Sequence, residues 1–257
     1  KTNTSGAANV AVGRDALELN TTGCENTAVG QNVMYTNVSG DFNTAVGREA
    51  LYSNTTADSN TALGYSAMKL NTTGGANTAV GAFALDSNTT GYANVAIGCD
   101  ALQSNTEGFS NTVVGTDALE DNTTGDLNVA IGKSALGNNT TADNNTAVGS
   151  CALKANTTGC RNVAMGSQAG DANTTGDCNT AIGFGSLSTA TTADHNTMIG
   201  AGAGNSITTG ANNTAVGRCS MTENTTGENN TAVGIQALED NTTGAANTAL
   251  GIHAMEK

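Results

Sequence analysis

From Asn20 to Thr36 the chain reads NTTGCENTAVGQNVMYT. The same succession of polar and apolar positions returns 17 residues later: Asn37 to Ser53 reads NVSGDFNTAVGREALYS, and Asn71 to Ser87 reads NTTGGANTAVGAFALDS. Fifteen units of 17 residues fill positions 3 to 257 without insertion or deletion. A fixed period of this size signals a repeat architecture, so we number the columns of the unit 1 to 17 from Asn3. Column 7 is always Asn and column 11 always Gly; column 10 is always Val, Ile, Leu or Met. Column 9 is Ala except at Val113 and Met198, and column 8 is only Thr or Val.

Columns 7 to 10, N-T-A-V, alternate in character and are rich in β-branched residues, which predicts a short strand. The Gly of column 11 ends it with a backbone angle that other residues resist. Columns 1 to 4, N-T-T-G, read as a second segment closing in a turn, and columns 12 to 15 as a third whose Ala and Leu point inward. The unit is too short for two helices and a turn, and Gly and Asn recur too often for a long helix. The pattern predicts an all-β chain without notable helices. It would be one continuous single-stranded parallel β-solenoid, or β-roll, over residues 3 to 257, with 15 coils of 17 residues. At about 4.8 Å per coil such a rod would be roughly 70 Å long.

Stacking in register gives each column a meaning. The column-7 residues Asn9, Asn26, Asn43, Asn60, Asn77, Asn94, Asn111, Asn128, Asn145, Asn162, Asn179, Asn196, Asn213, Asn230 and Asn247 are expected to form an amide ladder between coils. Thr and Val exchange in column 8 because their shapes match. Columns 8 and 10 share a face and are expected to point into the coil. Column 9 would then face outward while staying small, which predicts close approach by a partner along Ala28, Ala45, Ala62, Ala79 and Ala96.

Composition sharpens this picture. The chain has no Pro and no Trp, and aromatics make up 3%, so the interior is thin. The net charge of −13 disfavours nucleic acid and anionic membrane surfaces, which need basic patches. No apolar run reaches the ~18 residues of a membrane span, so membrane insertion is not expected. Of the 22 acidic residues only Glu107 lies outside columns 5, 6, 12, 13, 16 and 17, which marks those columns as solvated edges. The first and last units are close to consensus and neither reads as a cap, an arrangement expected of an excised segment or of copies stacked end to end.

The segments NTAVGREAL (Asn43 to Leu51), NVAIGCDAL (Asn94 to Leu102) and NTAVGIQAL (Asn230 to Leu238) resemble the head repeats of trimeric autotransporter adhesins, which carry an N-x-x-A-I-G-x-x-A core. The longer pattern ALxxNTTGxxNTAVG is similar to repeats in phage tail-fibre and related surface fibres. The resemblance implies a β-roll, homotrimers as in the adhesins, and binding or display at a surface.

Candidate chemistry is sparse, and no cofactor is expected. His195 and His253 fall in different columns about three coils apart, beyond the reach an acid–base pair needs. No C-x-x-C or His cluster points to a metal. Of six cysteines, Cys160 and Cys178 sit on adjacent coils in neighbouring columns and are the pair able to form a disulfide within the ~7 Å limit between Cα atoms. Column 5 stacks acids on successive coils (Asp41 with Asp58, Asp126 with Asp143, Asp177 with Asp194), expected as solvated turn acids rather than a calcium site. Column 1 supplies N-x-S/T sequons at Asn3, Asn20, Asn37, Asn54, Asn71, Asn88, Asn122, Asn139, Asn156, Asn173, Asn224 and Asn241, candidate N-glycosylation sites. The threonines persist where that Asn is lost, at Ala190 and Ile207, so they have a reason of their own. The pattern as a whole points to a non-enzymatic structural or adhesive fibre segment, extracellular or on a cell or virion surface. Its partners would be itself and surface glycans. The alternative is a ligand-binding solenoid that takes ice or glycan.

Overall fold

The computed structural model describes residues 3–256; Lys257, which closes the fifteenth unit, lies outside them. The chain divides into two compact units, Lys1–Asn128 and Val129–Lys257. The first carries β1 (Val10–Val12), β2 (Thr27–Val29), β3 (Thr44–Val46), β4 (Thr61–Leu63), β5 (Thr78–Val80), β6 (Val95–Ile97) and β7 (Thr112–Val114). The second carries β8 (Val129–Ile131), β9 (Thr146–Val148), β10 (Val163–Met165), β11 (Thr180–Ile182), β12 (Thr197–Ile199), β13 (Thr214–Val216), β14 (Thr231–Val233) and β15 (Thr248–Leu250). Within each unit successive strands pair in parallel with a register of one repeat, as in Thr44↔Thr61 and Ala45↔Ala62 or Val163↔Thr180 and Ala164↔Ala181. The fold is the all-β parallel solenoid the period predicts, and no helix occurs among the described residues.

Strand pairing is only part of what joins the coils. In the strand, Thr44 N donates to Asn60 O at 2.8 Å, and Gly64 N reaches back to Val46 O at 2.9 Å. In the third segment Met68 N donates forward to Ala84 O at 3.0 Å, while Ser66 N donates back to Arg48 O at 3.0 Å. In the N-T-T-G segment Thr72 N donates to Thr89 O at 3.0 Å. Each coil is therefore bonded to its neighbours on every side, and the backbone groups of a thin coil find partners without a thick core.

The path needs sharp corners, made by residues in the left-handed region. Columns 6, 13 and 15 hold positive φ in coil after coil, as at Ala76 (57°), Phe83 (57°) and Leu85 (55°). The column-11 glycines go further, with φ of 141° at Gly81 and Gly98. A Cβ on Gly81 would run into the Gly98 carbonyl oxygen, so this column has no alternative to Gly.

The interior is built from column 9 (Ala28, Ala45, Ala62, Ala79, Ala96), column 14 (Ala50, Ala67, Ala84) and column 15 (Leu51, Met68, Leu85, Leu102), all fully buried. This corrects the expected strand polarity. Column 9 points inward, and columns 8 and 10 point out. The reason is space: inside the coil the strand faces the Leu or Met of column 15, which leaves room for a methyl group. Coil 12 makes the constraint visible. There column 9 is Met198, fully buried, and column 15 is Gly204, at which a Cβ would strike the Met198 side chain and come within 3.0 Å of Ile207 Cδ1.

Candidate interaction surface

The inversion removes the alanine file as an assembly face. Ala28, Ala45, Ala62, Ala79 and Ala96 have no exposed surface and touch only their own solenoid. What faces solvent is column 8, Thr or Val, and column 10, one long apolar residue per coil. In the first unit Val46 is 39% exposed, Leu63 36% and Ile97 39%; in the second Ile131 is 39% and Met165 44%. No charged residue occurs in columns 8 to 10 of any coil. Among the described residues the hydroxyls of Thr27, Thr44, Thr61 and Thr78 bond to nothing in the protein. The outer face of the sheet is thus an uncharged, regular array of methyl groups and unpartnered hydroxyls. Sequence reasoning missed it because it assigned those side chains to the core.

The column-7 asparagines face inward and bridge coils. Asn60 N donates to Asn43 Oδ1 at 2.9 Å, while Asn43 Nδ2 reaches Ala57 O at 2.8 Å and Asn60 Nδ2 reaches Gly74 O at 3.0 Å. The contact is mostly side chain to backbone, with amide–amide bonds in places, as from Asn43 Nδ2 to Asn26 Oδ1 at 3.1 Å.

A second and more complete amide ladder runs through column 1. Asn54 Nδ2 donates to Asn37 Oδ1 at 2.7 Å, Asn71 to Asn54 at 3.1 Å, Asn88 to Asn71 at 2.7 Å and, in the second unit, Asn173 to Asn156 at 2.8 Å. This overturns the buried sequons as glycan acceptors. Asn20, Asn37, Asn54, Asn71, Asn88, Asn122, Asn139, Asn156, Asn173 and Asn224 are buried, and the Nδ2 that would carry a sugar is already bonded inside. Asn3 is exposed and Asn241 half-buried, yet Asn241 Nδ2 also donates to Asn224 Oδ1, at 3.2 Å. The ladder breaks at Ala190 and Ile207, which leaves the buried Asn173 Oδ1 without a partner.

The cysteine pairing is also corrected. Cys160 and Cys178 are free thiols. Cys178 N donates to Cys160 O at 3.1 Å, but Cys160 Sγ is turned the other way. It accepts from Asp143 N at 3.4 Å and lies 3.5 Å from Thr158 O. Column 5 has a function that explains this. Its side chain accepts the column-5 N–H of the preceding coil: Asp58 Oδ1 from Asp41 N at 2.7 Å, Asp177 Oδ1 from Cys160 N at 2.6 Å, and Cys24 Sγ from Ala7 N at 3.4 Å. The stacked acids are backbone acceptors, each bonded to an N–H that separates it from its neighbour.

Where column 5 is aromatic the file stacks instead, with Tyr92 and Phe109 centroids 4.9 Å apart and the rings nearly parallel. His195 and His253 are both exposed, and His253 Nδ1 lies 3.0 Å from Glu256 Oε2. Among the described residues no group of three or more His, Cys, Asp or Glu is placed to hold a metal ion, and no helix is long and apolar enough to cross a membrane.

Two charged pairs share Glu49 in coils 3 and 4, one with Arg48 and one with Lys69. Lys69 Nζ sits 2.9 Å from Glu49 Oε2. That hydrogen bond lowers the Glu49 carboxyl and raises the Lys69 ammonium. Burial pushes the Asp86 carboxyl up. The class these features define is a parallel β-solenoid with an unpartnered outer sheet face. No family model matches the chain, and neither a curated protein nor a solved structure does.

Proposed function

We propose that this chain is a structural segment of an adhesive fibre, displayed outside the cell or on a cell or virion surface, and that copies associate side by side through the outer face of the sheet. The partially exposed column-10 file carries this reading. Val, Ile, Leu and Met recur there with no charge in columns 8 to 10, on a chain of net charge −13 whose acidic residues all lie in other columns. Contiguous exposed apolar surface of this kind calls for a covering partner, and a self-complementary file on one chain is suited to a symmetric homo-oligomer. The resemblance to adhesin head repeats favours three copies. Surface glycans are the proposed ligands of the assembled fibre, which acts by binding rather than by catalysis.

Sedimentation velocity tests the reading. The wild-type chain is expected to sediment as a homo-oligomer. Leu63→Lys/Ile97→Lys, which places charges two coils apart on the outer face, should yield monomers with an unchanged melting temperature. A wild-type chain that stays monomeric at high concentration refutes lateral association.

A second reading has one observation behind it. Thr in column 8 and an apolar residue in column 10 stand two apart on one strand face, and the Thr hydroxyls lack protein partners. That array has the chemistry of an ice-binding surface. Thermal hysteresis in a freezing-point measurement distinguishes the two, because a fibre segment gives none.

A further inference from the structure

Column 3 poses a separate question. It is Thr or Ser in fourteen of the fifteen units, Glu107 being the exception, and it is exposed in every unit. Yet its hydroxyls do nothing for the fold: among the described residues none of them makes a hydrogen bond. The adjacent column 2 behaves otherwise, with Thr72 Oγ1 donating to Thr89 O at 2.9 Å and Thr89 Oγ1 to Thr106 O at 2.9 Å.

The substitutions separate shape from chemistry. Column 8 exchanges Thr for Val at Val95, Val129 and Val163, and column 2 does so at Val38. Both tolerate loss of the hydroxyl and keep the branched shape. Column 3 never takes Val but does take Ser, at Ser5 and Ser39. It keeps the hydroxyl and gives up the shape. The exposed edge columns 5, 6, 12 and 13 vary among charged, aromatic and small residues. A hydroxyl kept at an exposed position, with no internal partner, has its use outside the chain.

We infer that the column-3 hydroxyls are acceptor sites for O-linked monosaccharides. The step is a glycosyl transfer from an activated sugar nucleotide, carried out by a transferase. The Thr Oγ1 bonds to the anomeric carbon and the bond from that carbon to the phosphate oxygen breaks. The nucleoside diphosphate leaves with the electron pair, and the hydroxyl proton passes to a base on the transferase. Nothing is oxidised or reduced. A neutral sugar fits this file where a phosphate does not. Asp41, Asp58, Asp177 and Asp194 lie two residues beyond it in column 5, and dianions at about 4.8 Å intervals would repel one another and these carboxylates. The same spacing favours single sugars over branched glycans. This inference is independent of self-association.

The test is intact-mass measurement of the chain purified from the cells that make it, followed by fragmentation that retains side-chain substituents. Sugar-mass increments are expected at Thr73, Thr90 and Thr124, with none at Asn71, Asn88 or Asn122. Thr73→Val/Thr90→Val should lose two increments at an unchanged melting temperature, and Thr73→Ser should keep its own. An unmodified mass, phosphate increments, or sugars confined to other columns would overturn the inference.

Discussion

The residue that most constrains this fold is the one in the left-handed region. For an L-residue that conformation costs roughly 1–2 kcal/mol, and each coil accepts it at columns 6, 13 and 15. In column 15 the cost is offset by a buried Leu or Met, since full burial of such a side chain contributes about 1.5–3 kcal/mol. In column 6 the backbone N–H still bonds to the preceding coil, as from Ala76 N to Asp58 O at 3.0 Å, but no buried side chain offsets the cost. Ala76, at φ 57°, is exposed and has only a methyl to offer. Ala76→Gly should therefore stabilise the chain by about 0.5 kcal/mol, the relief of strain exceeding the extra chain entropy of Gly, seen as a higher midpoint in urea. Gly81→Ala runs the opposite way. Its φ of 141° lies where a side chain is strained and its Cβ would meet the neighbouring Gly98 carbonyl, so the loss should exceed about 3 kcal/mol. The invariance of column 11 announces this second case in the sequence. The first is faint, because columns 6, 13 and 15 hold mostly Ala, Leu, Met, Ser and other ordinary residues, and the types that favour positive φ appear only in some coils, as at Asn32, Asn144, Asn212, Gly185 and Gly202.

At the scale of the coil, the period, the strand and its terminating Gly were legible because they repeat fifteen times. The direction of the strand's side chains was not. A three-residue strand flanked by Asn and Gly is apolar on both faces, so alternation alone could not say which face was inside. The Asn of column 7 decides it: its amide is buried against the backbone of the next coil, and parity then turns Ala inward. The sequons misled for a similar reason, since N-T-T reads the same whether its Asn serves a glycan or an internal ladder. One pair of residues did encode the true parity. Where column 9 becomes Met198, column 15 becomes Gly204, an exchange that makes sense only if the two columns share one interior. A double-mutant cycle tests that sharing. Met198→Ala alone should cost about 2–4 kcal/mol through the cavity it leaves. Gly204→Leu alone should cost about 1–3 kcal/mol through overpacking. The double variant, which restores the consensus coil, should lie close to wild type, so the coupling is large. Additive losses in chemical denaturation would separate the two columns.

At the scale of the whole molecule, charge governs the response to pH. A net charge of −13 is spread over solvated edges, and a few carboxyls on those edges are partly buried. Burial is the largest cause of the raised Asp86, Asp171 and Glu120 carboxyls. One oxygen of Asp86 and one of Asp171 is buried without a partner. A carboxyl raised in the fold binds its proton more tightly there than in the unfolded chain. Its penalty is fully present at neutral pH and is relieved as pH falls through the folded value, down to the unfolded value of about 4. Glu49 has the opposite sign, because the Lys69 hydrogen bond lowers it. Its contribution is present above the unfolded value and is lost as pH falls through the folded one, so it does not act in the same window. As pH falls from neutrality toward the unfolded value of about 4, the raised groups and the falling self-repulsion act together. The melting temperature should therefore rise on mild acidification, against the usual course of acid destabilisation. Asp86→Asn should flatten part of that rise, since the neutral amide no longer titrates. Added salt should flatten the portion due to long-range repulsion while sparing the portion due to burial. A melting temperature, followed by circular dichroism, that falls steadily from pH 7 to about pH 4 would show that a carboxylate held by an ion pair, as Glu49 is by Lys69, outweighs those that burial disfavours.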